Sequence, residues 1–169
     1  MELILENNKF KRNPDITFWK NKKVLVTGHT GFKGSWLSLW LLEMGANVFG
    51  ISLDPPSQVN LFDDLKIEHS INHKILNIND FINLNKHIEF INPDIVFHLA
   101  AQPLVRKSYL EPIVTWETNL IGTLNLLTSV KNISKKCAFV CITTDKVYKN
   151  NEQKYPFKED DILGGDDPY

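Results

Sequence analysis

The 169-residue chain has only two cysteines, Cys137 and Cys141, in or beside one short apolar run, Ala138 to Ile142. They are too few and too close for a disulfide framework or a zinc site, and they fit a reduced, cytoplasmic setting. No metal is expected. Net charge is −1 with no basic block, which argues against a nucleic-acid partner. No apolar run approaches membrane-spanning length, so no membrane partner is expected either. The N-terminus carries acids and one short apolar patch, Leu3-Ile4-Leu5, unlike a signal peptide. Repeats and low-complexity segments are missing. With 43% apolar and 23% charged residues, the composition is that of one globular domain with a real core.

What the chain does have is a glycine-punctuated turn between a strand signal and a helix signal, VLVTGHTGFKGSWLSLWLL, from Val24 to Leu42. Val24-Leu25-Val26 reads as a short, fully buried strand. Gly28, Gly31 and Gly34 follow at three-residue spacing, and a helix pattern runs from Ser35 to Met44. Glycines tolerate φ > 0 and let backbone approach a ligand closely. The helix they launch aims unpaired N–H groups and its positive dipole end at the turn, which makes a pyrophosphate seat. Gly28, Thr30, Gly31, Phe32, Lys33 and Gly34 are the candidate cofactor contacts here. A dinucleotide site also needs an acid about 20 residues on. Asp54 supplies it, at the end of the next strand-like run, Val48 to Leu53. Its carboxylate can accept from both ribose hydroxyls and would repel a 2′-phosphate, so NAD is favoured over NADP.

Residues 1–17 read as an arm and 18–169 as one dinucleotide-binding domain, with Trp19 a hydrophobic lid at the strand entrance. The helix Ser35–Met44 is apolar nearly all round, which predicts burial and places Trp36 and Trp40 in the core. Gly45 ends it. Residues 56–70 read as a loop with a weak helix, and a third strand is expected over Ile75–Ile78. Phe81, Leu84 and Ile88 mark a helix capped by Asn79 or Asp80. Ile95–Leu99 is a fourth strand, in which His98 reads as a satisfied core histidine. Glu111-Pro112 starts the longest helix, with Trp116, Leu120, Leu124, Leu127 and Val130 on one face. Lys135-Lys136 is a solvated turn before a fifth strand, Ala138–Ile142. The alternation predicts an α/β fold, a doubly wound parallel sheet of the Rossmann type.

Ligands of such sheets sit outside the carboxyl ends of the strands, at the switch in strand order. Past the third strand lie Asn77 and Ile78, where an adenine would sit. At and beyond the fourth come Leu99, Ala100, Ala101 and Gln102, the alanines small enough for a dinucleotide to lie flat. Asn119, on the long helix, is a candidate for positioning near the site. Thr143-Thr144-Asp145-Lys146 follows the fifth strand. That last cluster could be a capped surface loop, but its shared edge with the glycines favours function.

The segments TGHTGFKG, HLAAQPLVRKSY, ETNLIGT, ITTDKVY and the final DPY resemble the extended short-chain dehydrogenase/reductases in order and spacing. Within these the chain is similar to the CDP-glucose 4,6-dehydratases, through Lys33-Gly34-Ser35-Trp36, SLDPP, Gln102-Pro103-Leu104-Val105 and above all Thr144-Asp145-Lys146. The resemblance runs from Phe18 to Tyr169. It implies NAD as cofactor, a CDP-glucose substrate, a homo-oligomer in the intact enzyme, and conversion to CDP-4-keto-6-deoxyglucose. It further implies catalytic roles for Thr144, Asp145, Lys146 and Tyr169. Hydride leaves C4 while Tyr169 takes the 4-hydroxyl proton, Lys146 removes the C5 proton, and Asp145 protonates the departing 6-hydroxyl. Thr144 bonds the sugar's 4-oxygen, and hydride returns to C6.

The family's catalytic pair is Tyr-x-x-x-Lys, and this chain stops at its tyrosine. It therefore reads as the N-terminal part of an enzyme, incomplete at its C-terminal end and expected to be inactive alone. Asn77 stands where relatives commonly have Asp. Two alternatives stay open: another NAD-dependent nucleotide-sugar epimerase or dehydratase, and a non-catalytic dinucleotide-binding module.

Overall fold

The structure, a computed structural model, describes residues 15–150, 152, 154–165 and 167–169, without the side chain of Asp145. Residues 1–14, most of the expected arm, lie outside the described residues. A single helical turn, α1 (Ile16–Trp19), crosses the expected boundary at residue 17, and the Asp15 carboxylate caps it by accepting from Thr17 N–H.

Five parallel strands form one sheet: β1 (Lys23–Thr27), β2 (Asn47–Ser52), β3 (Asn72–Ile75), β4 (Ile95–His98) and β5 (Ala138–Cys141). Their order is β3-β2-β1-β4-β5. The apolar run at β1 is central, pairing with β2 up to Thr27↔Ile51 and with β4 up to Thr27↔His98. The chain winds outward from β1 to β3, then returns to β4 on β1's other side. The switch point therefore lies between β1 and β4. This is the doubly wound Rossmann fold that the alternation of elements predicts.

Side chains alternate across β1, so both of its faces need cover. Val24 and Val26 pack with Leu41, Val48, Phe62 and Ile95 on one side. Leu25 packs with Ile51, Leu84, Ile88, Val96 and Leu126 on the other. Helices α2 (Phe32–Glu43) and α3 (Leu61–Leu65) supply the first layer, and α4 (Phe81–Ile91), capped by Asp80, joins the second. Trp19 packs against the first cluster, with its ring 6.2 Å from Phe97.

Helix α2 overturns one expectation. Its buried residues are Gly34, Ser35, Ser38 and Leu41. The small residues let the helix lie close to the sheet, and that turns the aromatic row outward. Trp36 is 51% and Trp40 54% exposed, so neither is core. Gly45 ends the helix as expected, at φ +81° with its N–H on Leu42 O at 2.8 Å.

The third strand lies over Asn72–Ile75 rather than Ile75–Ile78. It is an edge strand of mixed polarity, and the apolar signal came from the segment after it, where Ile78 enters the core. An unexpected short helix, α5 (Val105–Leu110), precedes the long one. The long helix starts with Pro112 but changes pitch: α6 (Pro112–Trp116) runs through a π-turn (Glu117–Gly122) into α7 (Thr123–Lys131). It buries Thr115, Gly122, Leu126 and Ser129, so Trp116, Leu120, Leu124 and Leu127 lie open. Lys135, expected in a solvated turn, instead pairs with Asp94 at 2.6 Å, and the other carboxylate oxygen accepts from Lys23 N–H. Among the described residues, no helix is long and apolar enough to cross a membrane.

Candidate active site

The glycine turn is shaped by steric necessity at two positions. Gly28 sits at φ +74° with its N–H on Ile51 O at 2.8 Å, and a Cβ there would stand 2.8 Å from Ala100 N. A Cβ on Gly34 would run into the Gly28 carbonyl oxygen. The first turn of α2 is therefore seated directly on the loop. Its N-cap, Gly31, has no side chain to satisfy the helix end, which leaves the N–H groups of Phe32, Lys33 and Gly34 without intrahelical acceptors. Ser35 closes the loop from below, its one hydroxyl proton shared between His29 O and Gly31 O at 3.0 and 2.9 Å. Phe32 and Lys33 are exposed beside this opening. An uncapped helix N-terminus over a cradle that a methyl group would fill matches the needs of a diphosphate.

Buried Thr30 fastens this turn to the end of β2. Its hydroxyl donates to Leu53 O at 2.9 Å and lies 2.7 Å from Ser52 Oγ. Asp54 follows at once, exposed, two residues past the end of β2, the strand that neighbours β1. Past β3, Asn77 is exposed and accepts from Asn79 N–H through its amide oxygen, which shapes the loop. Ile78 is buried in the core, and its carbonyl accepts from the Asn125 amide at 3.1 Å. Gly122 is where the long helix approaches this loop, since any side chain there would meet Ile78.

At the end of β4 the N–H groups of Leu99 and Ala100 both reach Thr27 Oγ1 at 3.2 Å, and Ala101 is exposed. Gln102 is buried with its side chain turned inward, on Leu104 N and O and on Thr115 Oγ1. Asn119, in the π-turn, brackets the Gln102 backbone, accepting from its N–H at 2.8 Å and donating to its carbonyl at 3.2 Å.

Beyond β5, Thr143 is exposed, and the Thr144 hydroxyl oxygen accepts from Lys146 N–H at 3.3 Å at the start of a 3₁₀ turn, Asp145–Val147. The Lys146 side chain is exposed, and the Asp145 side chain lies outside the described residues. The structure brings Tyr169 together with Asn119: Thr115, Trp116, Asn119, Leu120, Pro168 and Tyr169 line one groove of about 220 Å³.

Sequence reasoning missed the polar layer beneath these residues. Thr27, Thr115 and Thr123 each bond a site residue or its neighbour. A hydroxyl in an otherwise apolar strand, as at Thr27, was the available signal. His98 is indeed a satisfied core histidine, with both ring nitrogens in hydrogen bonds, and burial lowers its pKa to about 4. His29 was missed altogether. It is fully buried against Gly50, and neither ring nitrogen has a partner at hydrogen-bonding geometry. Burial, with repulsion from the neighbouring His73, lowers its pKa to about 4, and a weaker pull from the Ile51 backbone acts the other way.

Comparison with known proteins follows this geometry closely. Residues 25–169 match the family model described as GDP-mannose 4,6 dehydratase. CDP-glucose 4,6-dehydratase from Salmonella typhimurium is 50% identical over 155 residues, covering 92% of this chain and 43% of the relative. Among solved structures, a UDP-glucose 4-epimerase from Thermotoga maritima, holding UDP-glucose, is 30% identical with a TM-score of 0.73, covering 87% of this chain and 46% of that one. MoeE5, in complex with UDP-glucose and NAD, is 27% identical with a TM-score of 0.68, over 87% of this chain and 44% of that one. The chain thus spans less than half the length of these proteins. The uncapped glycine turn, the five-strand order and a match running from β1 to Tyr169 agree: this chain belongs to the GDP-mannose 4,6-dehydratase family.

Proposed function

We propose that this chain supplies the NAD-binding half of a sugar-nucleotide 4,6-dehydratase that takes CDP-glucose. The observation that carries the reading is the fit of the glycine turn to a diphosphate, with Asp54 just past the end of the adjacent strand. The 50% identity to a CDP-glucose 4,6-dehydratase supports the choice of sugar nucleotide. The N–H groups at 32–34 would hold the diphosphate, Asp54 the adenosine ribose, the loop at Asn77–Ile78 the adenine, and Leu99–Gln102 the far half of the cofactor. Bound there, NAD supplies a hydride acceptor for C4 of the sugar and a hydride donor for C6, so the reaction needs no outside oxidant.

The remaining chemistry falls to side chains. Tyr169 takes the 4-hydroxyl proton. Thr144 bonds the sugar's 4-oxygen. Once C4 is a ketone the C5 proton is acidic, and Lys146 removes it while Asp145 protonates the departing 6-hydroxyl. Lys146 is exposed here, and the sugar with the rest of the enzyme would close over it. The open apolar row on the long helix, Trp116, Leu120 and Leu124, suits pairing of two copies in the intact enzyme.

Product analysis with CDP-glucose against UDP- and GDP-sugars, on a full-length enzyme carrying this sequence, tests the reading. A 4-keto-6-deoxy product from CDP-glucose supports it. A 4-epimer from any of the three supports the epimerase alternative instead, which the Thermotoga maritima structure keeps in view. Lys146→Met should block elimination while single-turnover hydride transfer from C4 survives.

A further inference from the structure

One buried relay joins the glycine turn to the long helix through His98, and each of its protons can be placed. Thr27, the residue before Gly28, has one hydroxyl proton and two acceptor directions. Its oxygen accepts from the Ala100 N–H and shares the Leu99 N–H with the Thr27 carbonyl, at 3.2 Å in each case. His98 Nδ1, 2.7 Å away, is left to receive the Thr27 proton. The neutral ring then carries its own proton on Nε2, which donates to Thr123 Oγ1 at 2.8 Å. Thr123 passes its hydroxyl proton to Asn119 O at 2.7 Å.

The last bond reaches from Thr123, the first residue of α7, back into the π-turn Glu117–Gly122. A threonine that bonds back to the carbonyl four residues earlier bends a helix, and π-turns interrupt the regular ladder where a site needs a side chain re-aimed. One extra residue in a turn shifts the helix face by roughly 100°. Here the shift sets Asn119 against the Gln102 backbone and in the groove of Tyr169.

We propose that His98 is a positioning residue: fixed as the Nε2–H tautomer, it holds the 117–122 π-turn in register so that Asn119 clamps Gln102 beside the cofactor and Tyr169. The proposal rests on the NAD reading for its consequence, but its structural claim stands apart from that reading. His98 is buried and both its ring nitrogens are taken up by Thr27 and Thr123, so it has none to offer cofactor or substrate. It ties the ends of β1 and β4 to the helix across the switch point, so both walls of the site move together.

The test uses the whole chain and three readouts. In wild type, long-range ¹H–¹⁵N spectra of the His98 ring at neutral pH show Nδ1 bare and Nε2 protonated. Thr123→Ser keeps the relay and leaves hydrogen-exchange protection of the Gln102 amide at its wild-type value. Thr123→Val and His98→Phe each lower that protection about tenfold, as the loss of one buried hydrogen bond implies, while the β1 amides stay protected. NAD affinity falls in the same two variants and not in Thr123→Ser. If His98→Phe fails to fold, the valine and serine pair still decides. A ring protonated on Nδ1, or unchanged Gln102 protection in Thr123→Val, overturns the proposal. Wild type that binds no NAD sinks the dinucleotide reading and leaves the tautomer and exchange results to judge His98.

Discussion

Thr30 Oγ1 lies 2.7 Å from Ser52 Oγ, and both side chains are buried. The Thr30 proton is committed to Leu53 O at 2.9 Å, so Ser52 is the donor between them. Two hydroxyls thus lock the glycine turn to the strand end that carries Asp54. Thr30→Val strands the Ser52 hydroxyl and the Leu53 carbonyl, and should cost about 1–3 kcal/mol in thermal denaturation. NAD titration of the folded variant should show weakened binding. Thr30→Ser should restore both.

The glycines are not equivalent. Gly28→Ala and Gly34→Ala push a methyl group into backbone, and each should cost about 1–3 kcal/mol and abolish NAD binding. At Gly31 the nearest atom, Gly28 O, is 3.3 Å from a new Cβ, so Gly31→Ala needs only a small shift. Calorimetry of the three variants should rank Gly31→Ala well above the other two in affinity.

Acid should destabilise the fold through two imidazoles. His29 and His98 are held to about 4, below the ordinary 6.5, so the unfolded chain binds more protons between those values. Their contribution is fully present above pH 6.5 and is lost as pH falls towards 4, on the order of 3 kcal/mol for each group. The His29 ring nitrogens have no partner at full hydrogen-bonding geometry and only the weak Ile51 contact to lose, so His29→Leu should be near neutral at pH 7. It should also flatten the acid limb of a melting-temperature profile. An unchanged acid slope would show that His29 is not held neutral by the fold.

The orientation of α2 gives a direct contrast. Trp36→Gln and Trp40→Gln alter exposed positions and should change stability by less than about 1 kcal/mol. Leu41→Ala, at a fully buried site, should cost about 2–5 kcal/mol. Urea denaturation of the three variants checks it, and a large loss in either tryptophan variant would reverse the helix assignment.

What the sequence made legible was local. Val24-Leu25-Val26, the spacing of Gly28, Gly31 and Gly34, and the acid at 54 are contiguous signals, and each sits where expected. Trp36 and Trp40 misled because apolarity alone does not say which face meets the sheet; the small residues Gly34, Ser35 and Ser38 decide that. The π-turn was hidden because a 3.6-residue pattern was read straight through Gly122 and Thr123. The polar layer showed in the sequence only as the lone hydroxyl of Thr27, for a different reason. Thr27 and His98 lie 71 residues apart, and their 2.7 Å contact exists only once β1 and β4 pair.

Titration of the chain with NAD, followed through backbone ¹H–¹⁵N shifts, tests the central claim most directly. The account predicts saturable shifts that are largest at Gly31, Phe32, Lys33, Gly34 and Asp54, with a second group at Ala100 to Gln102. Saturable shifts confined to other parts of the chain, or no saturable binding at all, would contradict it.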